Sequence, residues 1–355
     1  MSDIIEQWRD TVRAAATDGR ALCLVGGGTK DFYGRQPVGE VLDTRAHRGI
    51  VSYEPTELVV TVRAGTPLSE LETALAEKNQ WLAFEPPRFG EASTVGGMVA
   101  AGLSGPRRMA AGALRDFVLG AKILDGRGDA LSFGGQVMKN VAGYDISRLL
   151  AGSLGTLGLI LEVSLKVLPR PVVEASLRME CDQAAALARM NEWGAEPLPV
   201  SATAWADGVL SVRLSGASAA VNAAVARMGG ERVAEDEAAD FWASLRDQTH
   251  AFFAQDGLPL WRFSLPTVTP PLSLAGETLV EWGGGQRWLR SEAAPAELRA
   301  VASALGGHAT LFRGGDRGSE VFQLPSAPLM DIHRRLKAGF DPAGIFNPGR
   351  FYDGF

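Results

Sequence analysis

The chain has 355 residues, 46% hydrophobic and 21% charged, with a net charge of −6, the make-up of a globular protein of about two domains at roughly 150 residues each. Its Lys and Arg residues are scattered and never form a long run, which excludes nucleic acid as the main partner, since phosphate binding requires a clustered basic face. Cys23 and Cys181 stand far apart among apolar neighbours. They read as buried thiols in a reducing compartment, too few for a disulfide framework or an iron–sulfur cluster.

Met1 to Arg20 reads as an amphipathic helix of mixed charge with no apolar signal region. No apolar run is long enough to span a bilayer. The expectation is a cytoplasmic chain without a direct membrane span, whose contact with the inner membrane would pass through partner subunits. Short β-branched runs follow at Ala21–Val25, Leu58–Val62, Val118–Leu124 and Leu159–Val167. Between them a helix is predicted over Pro67–Lys78, with Thr66 as cap, Pro67 in the first position and Leu68, Leu71 and Leu75 on one stripe. Asp125-Gly126-Arg127-Gly128 reads as a hairpin turn.

Pro169-Arg170-Pro171 marks a domain boundary, after which the composition changes. Alanine-rich helical segments (Ala184–Trp193, Ala217–Met228, Ala234–Arg246, Ala294–Leu305) alternate with strands such as Leu210–Leu214 and Thr278–Trp282. This pattern predicts an α+β sandwich, an antiparallel sheet covered by helices. Pro328–Lys337 forms a last amphipathic helix with Leu329, Ile332 and Leu336 aligned, and there are no repeats of solenoid period. The expected division is residues 1–170, 171–325 and a tail of 326–355.

Glycines cluster at Gly26–Gly28, Gly96–Gly105, Gly126–Gly143 and Gly152–Gly158, all in the first half. Leu24-Val25-Gly26-Gly27-Gly28-Thr29-Lys30 ends a strand in three glycines, a hydroxyl and a cation. Glycines let backbone N–H groups turn inward as a nest for an anion such as a pyrophosphate, although three glycines also serve a plain tight turn. Asp31 stands where a Rossmann fingerprint needs its third glycine, and there is no Gly-Lys-Ser/Thr for a Walker A loop. Ala92 to Gly102 and Ala151 to Ile160 are two further small-residue loops. Each alone is explained by close packing; three in one domain suggest a long ligand contacted mainly by backbone.

In order, Gly26-Gly27-Gly28-Thr29, Ser93-Thr94-Val95-Gly96-Gly97, Arg115-Asp116-Phe117-Val118-Leu119-Gly120 and Gly152-Ser153-Leu154-Gly155-Thr156-Leu157-Gly158 resemble the FAD-binding domain of the vanillyl-alcohol oxidase superfamily, the PCMH type. The resemblance covers about the first 170 residues. It implies an α+β fold: a two-subdomain FAD-binding domain, a smaller α+β sandwich as cap, and a C-terminal tail returning to the FAD domain. It implies that the first two loops cradle the pyrophosphate and that the strand after the last faces the adenine. The implied cofactor positions are Gly26, Gly27, Gly28, Thr29, Ser93, Thr94, Val95, Gly96, Gly97, Gly102, Arg115, Asn140, Tyr144, Gly152, Gly155, Thr156, Gly158, Ile160 and Asn347. Some superfamily members attach flavin through a histidine after the glycine loop. Here Thr29-Lys30-Asp31-Phe32-Tyr33 contains neither His nor Cys, so the FAD is expected to be non-covalent.

Val137 to Leu149, Glu281-Trp282-Gly283-Gly284-Gly285-Gln286-Arg287-Trp288 and Phe340 to Arg350 resemble more narrowly the E-subunit family of bacterial glycolate oxidases. That resemblance implies two partners, a larger flavin subunit (GlcD type) and an iron–sulfur subunit (GlcF type). It also implies oxidation of a small 2-hydroxy acid, glycolate to glyoxylate, with electrons passed to the respiratory chain. Larger catalytic relatives carry a histidine-rich motif, whereas His47, His250, His308 and His333 are not at metal-ligand spacing here. Catalytic candidates are therefore Tyr144, Trp282 and Arg287, with Arg262 and Arg313 as further carboxylate-binding arginines. Each also reads as an ordinary core or surface residue. Two other readings stay open: an FAD-holding assembly and relay subunit without substrate chemistry, and a stand-alone FAD oxidase of another alcohol or 2-hydroxy acid.

Overall fold

A computed structural model describes residues 3–135, 145–254, 257–318 and 320–355. The first helix, Asp3–Asp18, buries Ile5, Trp8, Val12 and Ala15, the three-to-four spacing of one helix face. That face packs on Leu22, Leu42, Leu159, Leu161 and Phe346. The strand Leu22–Val25 pairs in parallel with Glu40–Asp43, and its other edge bridges Phe346 from the far end of the chain. The tail thus closes the first structural layer.

The second layer is a five-stranded antiparallel sheet in the order Ile50–Glu54, Val59–Arg63, Leu159–Lys166, Val118–Leu124, Ala130–Gly134. Leu159–Lys166 sits centrally and pairs on both edges, with Leu159, Ile160, Leu161, Val163 and Leu165 buried. The hairpin turn at 125–129 is held by Asp125, whose Oδ1 accepts from the N–H groups of Arg127 and Asp129 at 2.9 Å each. Helix Leu68–Ala76 packs Leu68, Leu71 and Leu75 against this sheet, all fully buried. Burial of each such side chain contributes about 1.5–3 kcal/mol.

Two expectations are corrected here. Thr66 does not cap that helix. Its hydroxyl donates to Arg63 O at 2.7 Å and accepts from Gly49 N–H at 2.8 Å, fastening the preceding turn. The small-residue segment after Ala92 is also not all loop. Val95–Ala101 is a helix, capped by Thr94 Oγ1, which accepts from Gly97 N–H at 3.2 Å, and closed by Gly102 in the left-handed region.

After Arg170 an eight-stranded antiparallel sheet begins. Its order is Glu231–Val233, Val173–Glu180, Val209–Gly216, Val200–Ala206, Glu277–Glu281, Gln286–Arg290, Leu260–Ser264, His308–Arg313. The first four strands with helices Gln183–Gly194 and Ser218–Met228 form a β-α-β-β-α-β unit. The last four repeat its strand order, with helix Pro295–Ala304 before the final strand. The other crossover of this second unit, 265–276, carries Pro266, Pro270 and Pro271 and is not helical. The units join edge to edge where Ala204 pairs with Glu281. Helices Gln183–Gly194, Ser218–Met228 and Pro295–Ala304 cover one face of the sheet; the other turns toward the N-terminal domain and also carries helix Glu235–Arg246, whose Trp242 donates to Ser176 Oγ at 2.9 Å.

Candidate active site

The loops that the sequence singles out come together at the N-terminal domain. A Cβ on Gly27 would lie 1.5 Å from the Ala92 carbonyl oxygen, and one on Gly26 would lie 2.4 Å from Thr94 Oγ1. Only glycine lets the first loop touch the second. Gly96, Gly102, Gly155 and Gly158 likewise abut Ala64, Gly152, Asn347 and Leu124. Gly97 differs. Its Cβ direction meets only Thr94 Oγ1 at 3.1 Å, and Gly152 meets nothing nearer than 4.0 Å. These two, with exposed Gly28, leave backbone uncovered for a ligand. Ser93, Thr94, Val95, Thr156 and Ile160 are buried, so they contribute backbone and packing. Arg115 is exposed, 3.9 Å from Asp116. Asn140 and Tyr144 lie outside the described residues.

Lys30 adds what the glycine pattern alone does not reveal. Its Nζ donates to Ser93 Oγ at 2.7 Å, Thr29 Oγ1 at 3.2 Å and Arg88 O at 3.2 Å, crossing between the two loops. Burial pulls its ammonium down to about 8, with the charge of Asp247 opposing. An anion seated between the loops would restore its charge.

The C-terminal tail builds the floor beneath these loops. Asn347 Oδ1 accepts from Leu24 N–H at 2.8 Å, and Asn347 Nδ2 donates to Leu154 O at 2.7 Å. Lys337 Nζ donates to Thr156 O, Asp341 Oδ2 and Phe346 O at 2.7, 2.7 and 2.9 Å. Arg350 and Arg317 both donate to the carbonyls of the turn at Asp31–Arg35, holding the end of the first loop. Asn347 and Arg350 therefore act on the glycine loops from behind.

A small cavity of about 20 Å³, room for a single water, lies where the Arg262 face of the large sheet meets the N-terminal domain. Arg262, Glu281, Gln286, Trp288 and Phe312 approach from the sheet; Pro87, Phe89, Leu103, Ser104 and Gly105 approach from the other side. Arg262 Nη2 donates to the Tyr33 hydroxyl at 2.8 Å, and its guanidinium lies 5.4 Å from the Tyr33 and Phe312 ring centroids. Among the described residues no carboxylate pairs with it, which leaves it free for an anionic ligand. Trp288 Nε1 donates to Glu281 Oε2 at 2.6 Å, and Gln286 Nε2 donates to the same oxygen at 3.0 Å. Burial pushes the Glu281 carboxyl up to about 7, against the pull of those two donors.

The remaining candidates fall elsewhere. Arg287 projects to the opposite, helix-covered face. There it donates to the carbonyls of Gly284, Thr269 and Pro270 and supports the proline-rich crossover. Trp282 Nε1 donates to Gly105 O at 3.1 Å and its ring carries the Arg108 guanidinium at 4.5 Å, so it fastens the two domains together. A buried ion cluster does the same: Glu85 accepts from Arg213 Nη2 and from Arg107 N–H at 2.9 Å each. Arg313 lies over the Phe32 ring at 4.4 Å and donates to Gln248 Oε1. Glu281 was missed by the sequence reading, and its signal is the lone acid at the end of the apolar run Leu279-Val280. Among the described residues no group of three or more His, Cys, Asp or Glu could hold a metal ion. The thiols of Cys23 and Cys181 are free.

Comparison with known proteins adds four findings. The family described as "FAD binding domain" matches residues 4–134. The chain is 49% identical over 343 residues to glycolate oxidase subunit GlcE of Escherichia coli, covering 97% of this chain and 96% of that protein. It is 32% identical to glycolate oxidase subunit GlcD of Bacillus subtilis, over 43% of this chain and 33% of that one. Among solved structures, an alkyldihydroxyacetonephosphate synthase superposes with a TM-score of 0.67 over 97% of this chain and 74% of that chain, at 16% identity, which is a likeness of fold.

Proposed function

The chain belongs to the GlcE family of glycolate oxidase subunits, and from that membership we propose that it works as the FAD-holding E subunit of a complex oxidising glycolate to glyoxylate. It is an FAD-dependent oxidoreductase subunit acting on a 2-hydroxy acid within a multi-subunit assembly. The finer parts belong to the proposal: a larger flavin subunit and an iron–sulfur subunit as partners, and delivery of electrons to the respiratory chain. In this reading residues 1–170 hold the cofactor, 171–325 form the cap and 326–355 buttress the cofactor loops. No helix among the described residues is long and apolar enough to cross a membrane.

The observation that carries the proposal is the meeting of three glycine loops and the Asn347 tail, beside which the Arg262 guanidinium pairs with no carboxylate among the described residues. These residues fit the cofactor. Gly28, Gly97 and Gly152 leave backbone bare, and Lys30 supplies a cation between the first two loops where a diphosphate would lie. Bound flavin supplies two-electron acceptance. The protein's tasks are to hold it without a covalent bond, to bind the substrate carboxylate at Arg262 and to keep water out with Trp288, Phe312 and Phe89.

Absorbance of the purified chain is the first test. A colourless protein that takes up no FAD on titration removes the proposal. Glycolate-dependent dye reduction, by the chain alone and after adding the partner subunits, tests the substrate. No reduction in the assembled, FAD-loaded complex counts against it. Arg262→Lys should raise KM by about tenfold or more, because a single ammonium replaces a fork that binds carboxylate with two parallel bonds.

A further inference from the structure

The cavity beside Arg262 has room for one water, so a ligand that reaches Arg262 must first displace part of its wall. A much larger space lies on the far side of that wall. It is an open crevice of about 400 Å³ between the first glycine loop, residues 88–91 and the cap, the size of a small-molecule site. Thr29, Phe32 and Gly90 line it from the N-terminal domain; Asp247, Thr249 and Arg313 line it from the cap.

Most charges around the crevice are already committed. Asp247 Oδ1 accepts from Arg88 N–H at 2.9 Å, and its Oδ2 accepts from Arg246 Nη2 at 2.6 Å. The Arg88 guanidinium pairs with Glu72 at 2.5 Å. Glu91 is exposed at the rim. Arg313 differs. Among the described residues it pairs with no carboxylate, and its Nη2 donates to the neutral Gln248 Oε1 at 3.0 Å. Its guanidinium stands 4.4 Å from the Phe32 ring centroid and 5.6 Å from that of Phe89. The two rings hold the cation in place without neutralising it. A half-buried guanidinium in this state is a receptor for a planar anion that accepts two parallel bonds.

Phe89 and Gln248 form the partition between the two spaces. Phe89 lines both; Gln248 lines the inner cavity and accepts from Arg313. Both residues have left-handed backbone, at φ 54° and 55°, a conformation that large side chains hold only where their surroundings impose it. The Phe32 ring packs edge-on against Phe89 at 5.1 Å, and Arg313 fastens Gln248. Arg313 is therefore both the anion receptor of the crevice and a clamp on its inner wall. A carboxylate outcompetes the neutral amide for the guanidinium, because its hydrogen bonds are charge-assisted. Occupancy of the crevice thus releases Gln248, the differential contact through which a ligand shifts a conformational equilibrium.

We propose that the crevice is an outer recognition site for a small carboxylate, where Arg313 exchanges Gln248 for the ligand and so unlocks the wall of Phe89 and Gln248 in front of Arg262. The inference rests on the function proposed above, and adds to it the point at which the acid is first captured.

Oxalate is the probe, a two-carbon carboxylate with no C–H bond for a flavin to oxidise. In calorimetric titration of the FAD-loaded chain, Arg313→Gln should bind oxalate about tenfold or more weaker than wild type, with Arg313→Lys between them. Gln248→Ala should bind it about 2–10-fold more tightly, since no hydrogen bond has to be displaced; a residue with only a packing role would not raise affinity. Stopped-flow tryptophan fluorescence tests the wall, using the phase that Trp288→Phe removes as the report from the inner cavity. The wild-type rate should level off at high oxalate as opening becomes limiting, and Phe89→Gly, which suits a positive φ, should abolish that plateau. A plateau that survives Phe89→Gly overturns the wall's role. Unchanged oxalate affinity in Arg313→Gln, or inorganic phosphate bound as tightly as oxalate, overturns the inference and leaves the proposed function standing. Oxalate binding that disappears when FAD is loaded assigns the crevice to the cofactor and overturns it equally. Failure of the chain to take up FAD overturns the proposed function and the inference with it.

Discussion

The buried Lys337–Asp341 pair should govern both stability and cofactor retention. Lys337 is 7% exposed and Asp341 1%. The ammonium donates to two backbone carbonyls as well as to Asp341, and Asp341 accepts from Ile345 and Phe346 N–H at 3.1 and 2.8 Å. Lys337→Met keeps the length of the side chain but leaves a buried carboxylate without its cation and two carbonyls without a donor. Breaking a buried pair in this way costs about 3–5 kcal/mol. Asp341→Asn keeps an acceptor and removes the charge, so Lys337→Met/Asp341→Asn no longer contains the unpaired carboxylate. The double variant should therefore be less destabilised than the sum of the singles, by about 1–3 kcal/mol. Urea unfolding followed by tryptophan fluorescence measures this, since Trp8 shares an apolar cluster with Phe346. Lys337→Met should also lose FAD on gel filtration, because Thr156 and the tail supporting Leu154 are released together. Singles that add to within about 0.5 kcal/mol would refute the coupling.

Three further outcomes follow from the site. Above pH 8 or so Lys30 is neutral in the FAD-free chain, so binding a diphosphate there must take up a proton. FAD affinity should be flat below about pH 8 and weaken by up to ~10-fold per pH unit above it; fluorescence titration should find Lys30→Met weaker and without that slope, and an unchanged slope sinks the assignment. Gly97→Ala places a methyl in the first turn of the helix, 3.1 Å from the capping Thr94 Oγ1 and otherwise in open space, so FAD retention should drop. Retention at the wild-type level would mean the ligand does not approach Gly97. Burial holds Glu281 in its acid form up to about 7, against 4.5 for an ordinary glutamate. The stability this confers is present below pH 4.5 and is lost as pH rises through about 7. At ~1.4 kcal/mol per pH unit this is worth about 3 kcal/mol. Between pH 5 and pH 8 or so the thermal midpoint of wild type should fall more than that of Glu281→Gln, and equal falls would contradict the burial of that carboxyl.

Local pattern carried much of what is distinctive about this chain. The helix stripe Leu68-Leu71-Leu75, the hairpin at Asp125–Gly128 and the long central strand from Leu159 are legible because their hydrogen bonds and apolar spacing are satisfied within a few residues. The helix Val95–Ala101 was not, because Gly96, Gly97 and the β-branched Val95 and Val99 disfavour a helix and its formation depends on the Thr94 cap and on packing against Ala64. The paired cap units escaped notice for a related reason: one of the two crossovers in the second unit is a proline-rich loop in place of a helix.

The glycine loops and an FAD-binding reading were determined by the sequence alone, since only residues without a Cβ allow loop backbones to approach one another or a ligand. What tertiary structure decided was the division of labour among the arginines and the acids. Arg287 and Arg262 are both strand residues with the same chemistry, yet strand register turns one to a wall of carbonyls and the other into the cavity. Glu281 is one acid among many in the sequence. Its environment arises only when Trp288, Gln286 and the opposite domain enclose it and exclude water, because desolvation is a property of the assembled surroundings and of no residue by itself.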